Sequence, residues 1–283
     1  MKLSKTIALL LSCTLLLLTA GCGASPKPAP SAAPEVTSTP AVTATPEPTA
    51  TPEPTPTATP EPMFTNPLTG EQTYTDYSQT RPVAIMVENN HWDDGTLIAQ
   101  GGLSQADIVY EMQVESITRN MFLFMDTDGL NNVFPIRSAR SYFVSAALSY
   151  DAIFAHCGKS GEGLEFADTM LVNYTDADDI EVHEGSCGFR QYDAPYFGAV
   201  HSMTTTGERL QDLFAQYGTR TTHRTDGYDY GLHFTEDAAP VNGEAAGSIR
   251  VVFPTNKITD FSYDAEKGGY TSTQWNSAYT DGN

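Results

Sequence analysis

Apolar residues in this chain come first in short runs of strand length and later at helical spacing. Arg81–Val87 (RPVAIMV), Ala106–Val114 (ADIVYEMQV) and Thr118–Met125 (TRNMFLFM) predict three strands, the last two joined by a short polar connection. Ala139, Tyr142, Phe143, Ala146, Ala147 and Tyr150 then recur with helical period, with Ser138 as the expected N-cap. Asp151–His156 (DAIFAH) predicts a strand that runs into the glycine-rich loop 157–163 and a further helix around Leu164–Leu171, the order of an α/β layer. Asn173–Gly188 is polar and acidic and is expected to be loop. Thr206–Tyr217 is a clear amphipathic helix, with Leu210, Leu213, Phe214 and Tyr217 on one face, a threonine in front and Gly218 behind. Ser248–Pro254, Thr259–Tyr263 and Gly269–Gln274, separated by turn residues, predict an antiparallel meander that lacks a closing strand. The expected fold is α/β (α+β): an N-terminal domain with a mixed sheet, then the start of a small, mostly antiparallel β domain.

The N-terminal residues follow neither period. Two lysines precede the apolar run Ile7–Leu18, which ends in Thr19-Ala20-Gly21-Cys22. A run this short with small residues behind it is an export signal rather than a spanning helix. The cysteine after Ala-Gly fits a lipoprotein cleavage site, with a lipidated Cys22 as the mature N-terminus. Residues 23–62 hold twelve of the 18 prolines and repeat TATPEP. Such a segment has little to bury and favours extended polyproline II, so it reads as a tether. The expected organisation is a signal peptide over 1–21, a Pro/Thr-rich tether over 22–64, an N-terminal domain over 65–238 and a partial C-terminal domain over 239–283. The expected location is the extracytoplasmic face of the cell membrane, held by lipid.

Composition narrows the partners. From Met63 onward there are 12 Lys and Arg against 31 Asp and Glu, a net charge of −19, which disfavours nucleic acid. Cys157 and Cys187 remain after processing, and an even pair in an exported protein predicts a disulfide, worth roughly 3–4 kcal/mol in the chain-entropy account. No metal or cofactor motif is present: in a loop starting at Asp126 the twelfth position is Arg137, where a calcium loop needs glutamate.

Read in order, RPVAIMVENN, GLSQADIVYEMQVESITR, PIRSARSYF and YDAIFAHCG resemble the YerB-like lipoprotein family of Gram-positive bacteria, whose N-terminal domain has no assigned function. The resemblance covers nearly the whole chain after the tether. Where the family pattern usually has Asp-Asn-His, this chain has Glu88-Asn89-Asn90; Ser248–Asn283 is similar to the beginning of the family's C-terminal domain. The resemblance implies an architecture and an envelope location, with no activity attached.

Chemistry concentrates in PIRSAR. Arg137 and Arg140 fall near the expected start of a helix, where the dipole disfavours cations. Two readings follow. Either Glu111 or Glu115 of the preceding strands pairs with them, or they bind an incoming anion together with the loop Gly158, Lys159 and Ser160. In the second reading a phosphorylated lipid or glycan is the ligand, and His156 and His201 are candidate acid/base groups of an envelope enzyme. The first reading accords with a non-enzymatic accessory or binding protein whose partner is a cell-wall ligand or an envelope protein. Tyr192, Tyr196 and Phe197 beside Arg190 are aromatics able to stack on sugar rings or to pack in the core.

Overall fold

The computed structural model describes residues 61–92, 95–159, 179–190, 201–235, 243–254, 257–275 and 277–278. The expected leader with Cys22, the expected tether as far as residue 60, Ser160, the helix expected around Leu164–Leu171 and the Tyr192–Phe197 cluster lie outside these residues. A small antiparallel hairpin, β1 (Phe64–Thr65) with β2 (Gln72–Thr73), precedes the main sheet. That sheet is built from β3 (Val83–Asn89), β4 (Ile108–Gln113), β5 (Thr118–Phe124), β6 (Ile153–His156) and β7 (Asp179–Glu181), in the spatial order β4-β5-β3-β6-β7. β3 pairs antiparallel with β5 and parallel with β6, and β6 pairs parallel with β7, so the sheet is mixed.

All seven residues of β3 and all seven of β5 are buried, because both faces of these central strands are covered. Ala84, Met86, Met121 and Leu123 point to one face, against Phe143, Val144 and Ala147 of helix α1 (Ser141–Leu148). Val83, Ile85, Val87, Phe122 and Phe124 point to the other, against Leu210, Leu213 and Phe214 of helix α2 (Gly207–Tyr217). The alternation carries on past the apolar part of β3. It puts Glu88 on the α1 face and Asn89 on the α2 face.

The caps of α2 match their sequence signals: Thr206 Oγ1 accepts from the Arg209 amide, and Gly218 closes the helix at φ 63°, while of the expected apolar face Tyr217 is exposed. Before α2, β8 (Phe189–Arg190) and β9 (Met203–Thr204) form a short antiparallel pair. The other helix begins later than expected. Ser138 does not cap α1; Arg140 is its N-cap, with extended backbone and no side-chain capping bond. The acidic stretch expected as loop contains β7, which is recruited because its backbone completes the ladder of β6.

The last strands, β10 (Ser248–Val252), β11 (Ile258–Asp264), β12 (Gly269–Gln274) and β13 (Ser277–Ala278), form a separate antiparallel sheet in chain order. Its side chains reach the main sheet at Lys257, which pairs with Glu111 of β4. Thr259 Oγ1 donates to the other oxygen of the same carboxylate at 2.9 Å.

Candidate functional site

The polar residues that end β3 and begin β5 divide by face. On the α2 face Glu111 accepts from Asn89 Nδ2 at 2.9 Å and Thr118 Oγ1 at 2.8 Å, and Gln100 and Asn120 extend this amide network. Glu111 is therefore committed to β3, β5 and Lys257, and it does not meet the arginines of PIRSAR.

Those arginines lie on the α1 face. Arg140 forms a two-pronged contact with Glu115, Nε to Oε1 at 2.7 Å and Nη2 to Oε2 at 3.0 Å. The guanidinium holds the Glu115 carboxyl down at about 2. Arg137 goes instead to Glu88, with Nε 2.7 Å from Oε2. Glu88 has a side chain only 1% exposed, and His201 Nδ1 stands 3.3 Å from the same oxygen. Arg119 faces Glu88 across the β3–β5 ladder. Burial alone would raise the Glu88 pKa; the His201 contact and the charges of Arg137 and Arg119 outweigh it and hold the carboxyl below its usual value. Burial also brings the Arg119 guanidinium down to about 10, with Glu88 opposing that change. Neither Glu88 oxygen receives an aligned hydrogen bond, so Arg137 acts on it through charge. Trp92 closes over His201 edge-on, with ring centroids 5.0 Å apart.

The loop after β6 is tied down as well. His156 is fully buried; its Nδ1 lies 2.9 Å from the Gly158 carbonyl oxygen and its Nε2 2.6 Å from Asp179 Oδ1. Both ring nitrogens thus lie against internal acceptors. Lys159 Nζ donates to the other Asp179 oxygen at 2.8 Å, and the Gly158 amide donates to Glu181 at 3.0 Å. Burial acts to raise the Asp179 pKa, and His156 and Lys159 together hold it below the ordinary value. β7, the strand hidden in the acidic stretch, thus supplies the carboxylates that meet Lys159 and the Gly158 amide.

Residues 68–220, just over half of the chain, match the family model described as "Protein of unknown function (DUF3048) N-terminal domain". The chain belongs to this family. It is 32% identical over 209 residues to a Bacillus subtilis (strain 168) protein named "Putative lipoprotein YerB", across 72% of this chain and 58% of that protein. The chain thus spans less than two thirds of that curated relative's length. The crystal structure of the YerB protein from Bacillus subtilis is similar in fold, with a TM-score of 0.61 at 27% identity over 77% of this chain and 69% of that one.

Within this DUF3048 chain the expected site segments run side by side, the Cys157 amide on the Arg137 carbonyl at 3.0 Å and the Ala139 amide on the Gly158 carbonyl at 2.9 Å, while their side chains take different partners. Arg137 and His201 meet at Glu88; Arg140 sits on Glu115; Gly158, Lys159 and His156 form a different cluster around Asp179 and Glu181. The expected disulfide is not formed. Cys157 and Cys187 are free thiols, both packed in the apolar cluster under α2, and burial raises both pKa values, so they behave as small hydrophobic side chains. Sequence reasoning missed Glu88 as the acceptor for Arg137. The available signal was a carboxylate continuing the apolar alternation of β3, which forces it inside and creates a demand for a cation.

Proposed function

We propose that this protein is a lipid-anchored protein of the extracytoplasmic membrane face that acts in the cell envelope by binding rather than by catalysis. The observation that carries this reading is the internal pairing of Arg137 with Glu88 and Arg140 with Glu115. An electrostatic clamp for a phosphorylated substrate needs cations whose charge is available to the reacting group. Here protein carboxylates already take that charge. The lipoprotein name of the Bacillus relative and the Cys22 signal support the anchor. Residues 65–238 are the binding domain in this reading, and 239–283 belong to a second, β-rich domain.

The test is fractionation of a Gram-positive host expressing the full chain. Wild type is expected in the membrane fraction and Cys22→Ala away from it; equal distribution of the two would remove the anchor. In parallel, pyrophosphate and sugar phosphates are expected to leave the melting temperature of the detergent-solubilised chain unchanged. Stabilisation by several degrees that disappears in Arg137→Ala would restore the enzyme reading.

A further inference from the structure

At the opposite end of β3 from Glu88, where Val83 and Ile153 open the parallel strand pair, two clefts share Tyr77 as a common wall. The larger, of about 450 Å³, is lined by Phe64, Pro67, Asp76, Tyr77, Tyr228 and Tyr230 among others. The smaller, of about 230 Å³, adds Asp126, Thr127 and Gln211. The larger volume alone falls in the range of small-molecule sites.

The tyrosine rings are fixed by their own hydroxyls. Tyr77 donates to Asp126 Oδ2 at 2.8 Å, Tyr228 to the Ser149 carbonyl at 3.0 Å and Tyr230 to the Thr80 carbonyl at 3.2 Å. Tyr228 also lies flat on His223, with centroids 4.3 Å apart and planes 7° from parallel. His223 is held from below by Asp151, which binds Arg220 through both oxygens. A ligand that stacks on these rings therefore meets surfaces whose orientation the fold has already set, and little side-chain entropy is lost on binding.

Charge selects the class of guest. Among the described lining residues Arg81 is the basic one. Its side chain has no exposed surface and is taken up by Asp151 and by the carbonyls of Ala152 and Arg220. The charges that remain on the walls are Asp76 and Asp126, which would repel a phosphate or a carboxylate. Both already accept internal bonds, Asp76 from the Ser78 amide and Asp126 from Tyr77 and the Asp128 amide, so neither is a bare charge waiting for a cation. Acceptor capacity beside aromatic faces, with a neutral amide and hydroxyls around it, suits a pyranose. Its C–H faces stack on the rings, and its hydroxyls donate to carboxylates and exchange hydrogen bonds with Gln211 and Thr127.

We propose that this paired cleft binds a short, uncharged glycan, with Tyr77 and Tyr228 as the stacking faces and Asp76 and Gln211 as hydroxyl partners. The proposal rests on the binding-protein reading above. The experiment is saturation-transfer NMR of the detergent-solubilised full chain with chitotriose peracetylated on nitrogen, maltotriose, glucose 1-phosphate and a trilysine peptide. At least one neutral trisaccharide is expected to receive saturation, strongest at its ring C–H protons, while the charged probes do not. Tyr228→Ala should weaken binding about tenfold, the loss of roughly one stacking contact. Because that variant removes a packed ring, Gln211→Ala on the exposed side of α2 provides a second reading: weaker glycan binding at unchanged melting temperature. Tyr263→Ala, on the separate β sheet, should bind as wild type. The inference is overturned if neither trisaccharide binds, if a charged probe binds in their place, or if both cleft variants bind as wild type. Such a failure leaves Cys22-dependent membrane retention untouched, whereas loss of retention would strike the envelope reading alone.

Discussion

Glu88 is the residue on which most of the buried charge turns. Its side chain is almost fully enclosed, and it faces Arg137, Arg119 and His201 at once. Replacing it with glutamine keeps the shape and removes the charge, which leaves two largely buried guanidinium groups without their counter-ion. Glu88→Gln is therefore expected to cost about 3–5 kcal/mol, read as a lower denaturation midpoint. Removing Arg140 should cost no more than about 1 kcal/mol, because its partner Glu115 is 64% exposed and solvent screens the pair. The same chemistry fixes the response to acid. Glu88, Asp151 and Asp179 all have folded-state pKa values below their ordinary 4.5 and 3.8. Between the folded and unfolded pKa values the unfolded chain binds more protons, so stability from these groups is complete above about pH 5 and is lost as pH falls through the folded values. A melting-temperature profile should be flat from neutrality to about pH 5 and then drop, and Glu88→Gln should show a shallower drop.

Among the elements, α2 has the most to lose at its first turn. Thr206→Ala removes the cap on the Arg209 amide and is expected to cost about 1 kcal/mol. Gly207 is more demanding: a Cβ there would overlap the Thr127 carbonyl, since the helix start packs directly on the backbone that follows β5. Gly207→Ala forces that backbone apart, and a loss of about 1–3 kcal/mol is expected by thermal or denaturant unfolding. The pair of variants separates a lost hydrogen bond from a lost close approach. α2 was legible in the sequence because its caps and its apolar stripe are local signals. α1 was legible in its apolar face but not at its start, where Arg140 takes the cap position because the side chain is held by Glu115, 25 positions earlier.

At the scale of the whole molecule, the two sheets meet at a shared carboxylate, near which His91 also packs edge-on against Trp275 at 4.8 Å. Glu111 receives Asn89 and Thr118 from the main sheet and Lys257 and Thr259 from the other. The Lys257 ammonium also lies over the rings of Phe253 and Trp275 at 5.3 and 5.2 Å. Lys257→Ala leaves Glu111 its remaining donors, so the main sheet should keep its stability while the β10–β13 sheet loosens. Limited proteolysis within residues 243–254 is expected to accelerate about tenfold, the equivalent of ~1.4 kcal/mol of local opening. An unchanged rate would show that the two sheets are held by something other than this contact.

The sequence by itself determined the elements with local signatures: the central strands, the α2 helix and the terminal meander. It also determined the family, because GLSQADIVYE and PIRSAR lie within the matched residues 68–220. Only the tertiary structure decided which carboxylate meets which arginine. Residues far apart in the chain compete for each cation, and strand register brings Glu88 rather than Glu111 to Arg137. β7 was missed because the alternation of Asp179-Ile180-Glu181-Val182 is too short to stand out from an acidic stretch, and it becomes a strand because β6 offers a free ladder edge beside it. The two cysteines are free thiols packed in one apolar cluster, an environment that their count does not reveal. Period and composition are properties of neighbours in sequence, whereas ion pairing and edge recruitment depend on neighbours in space.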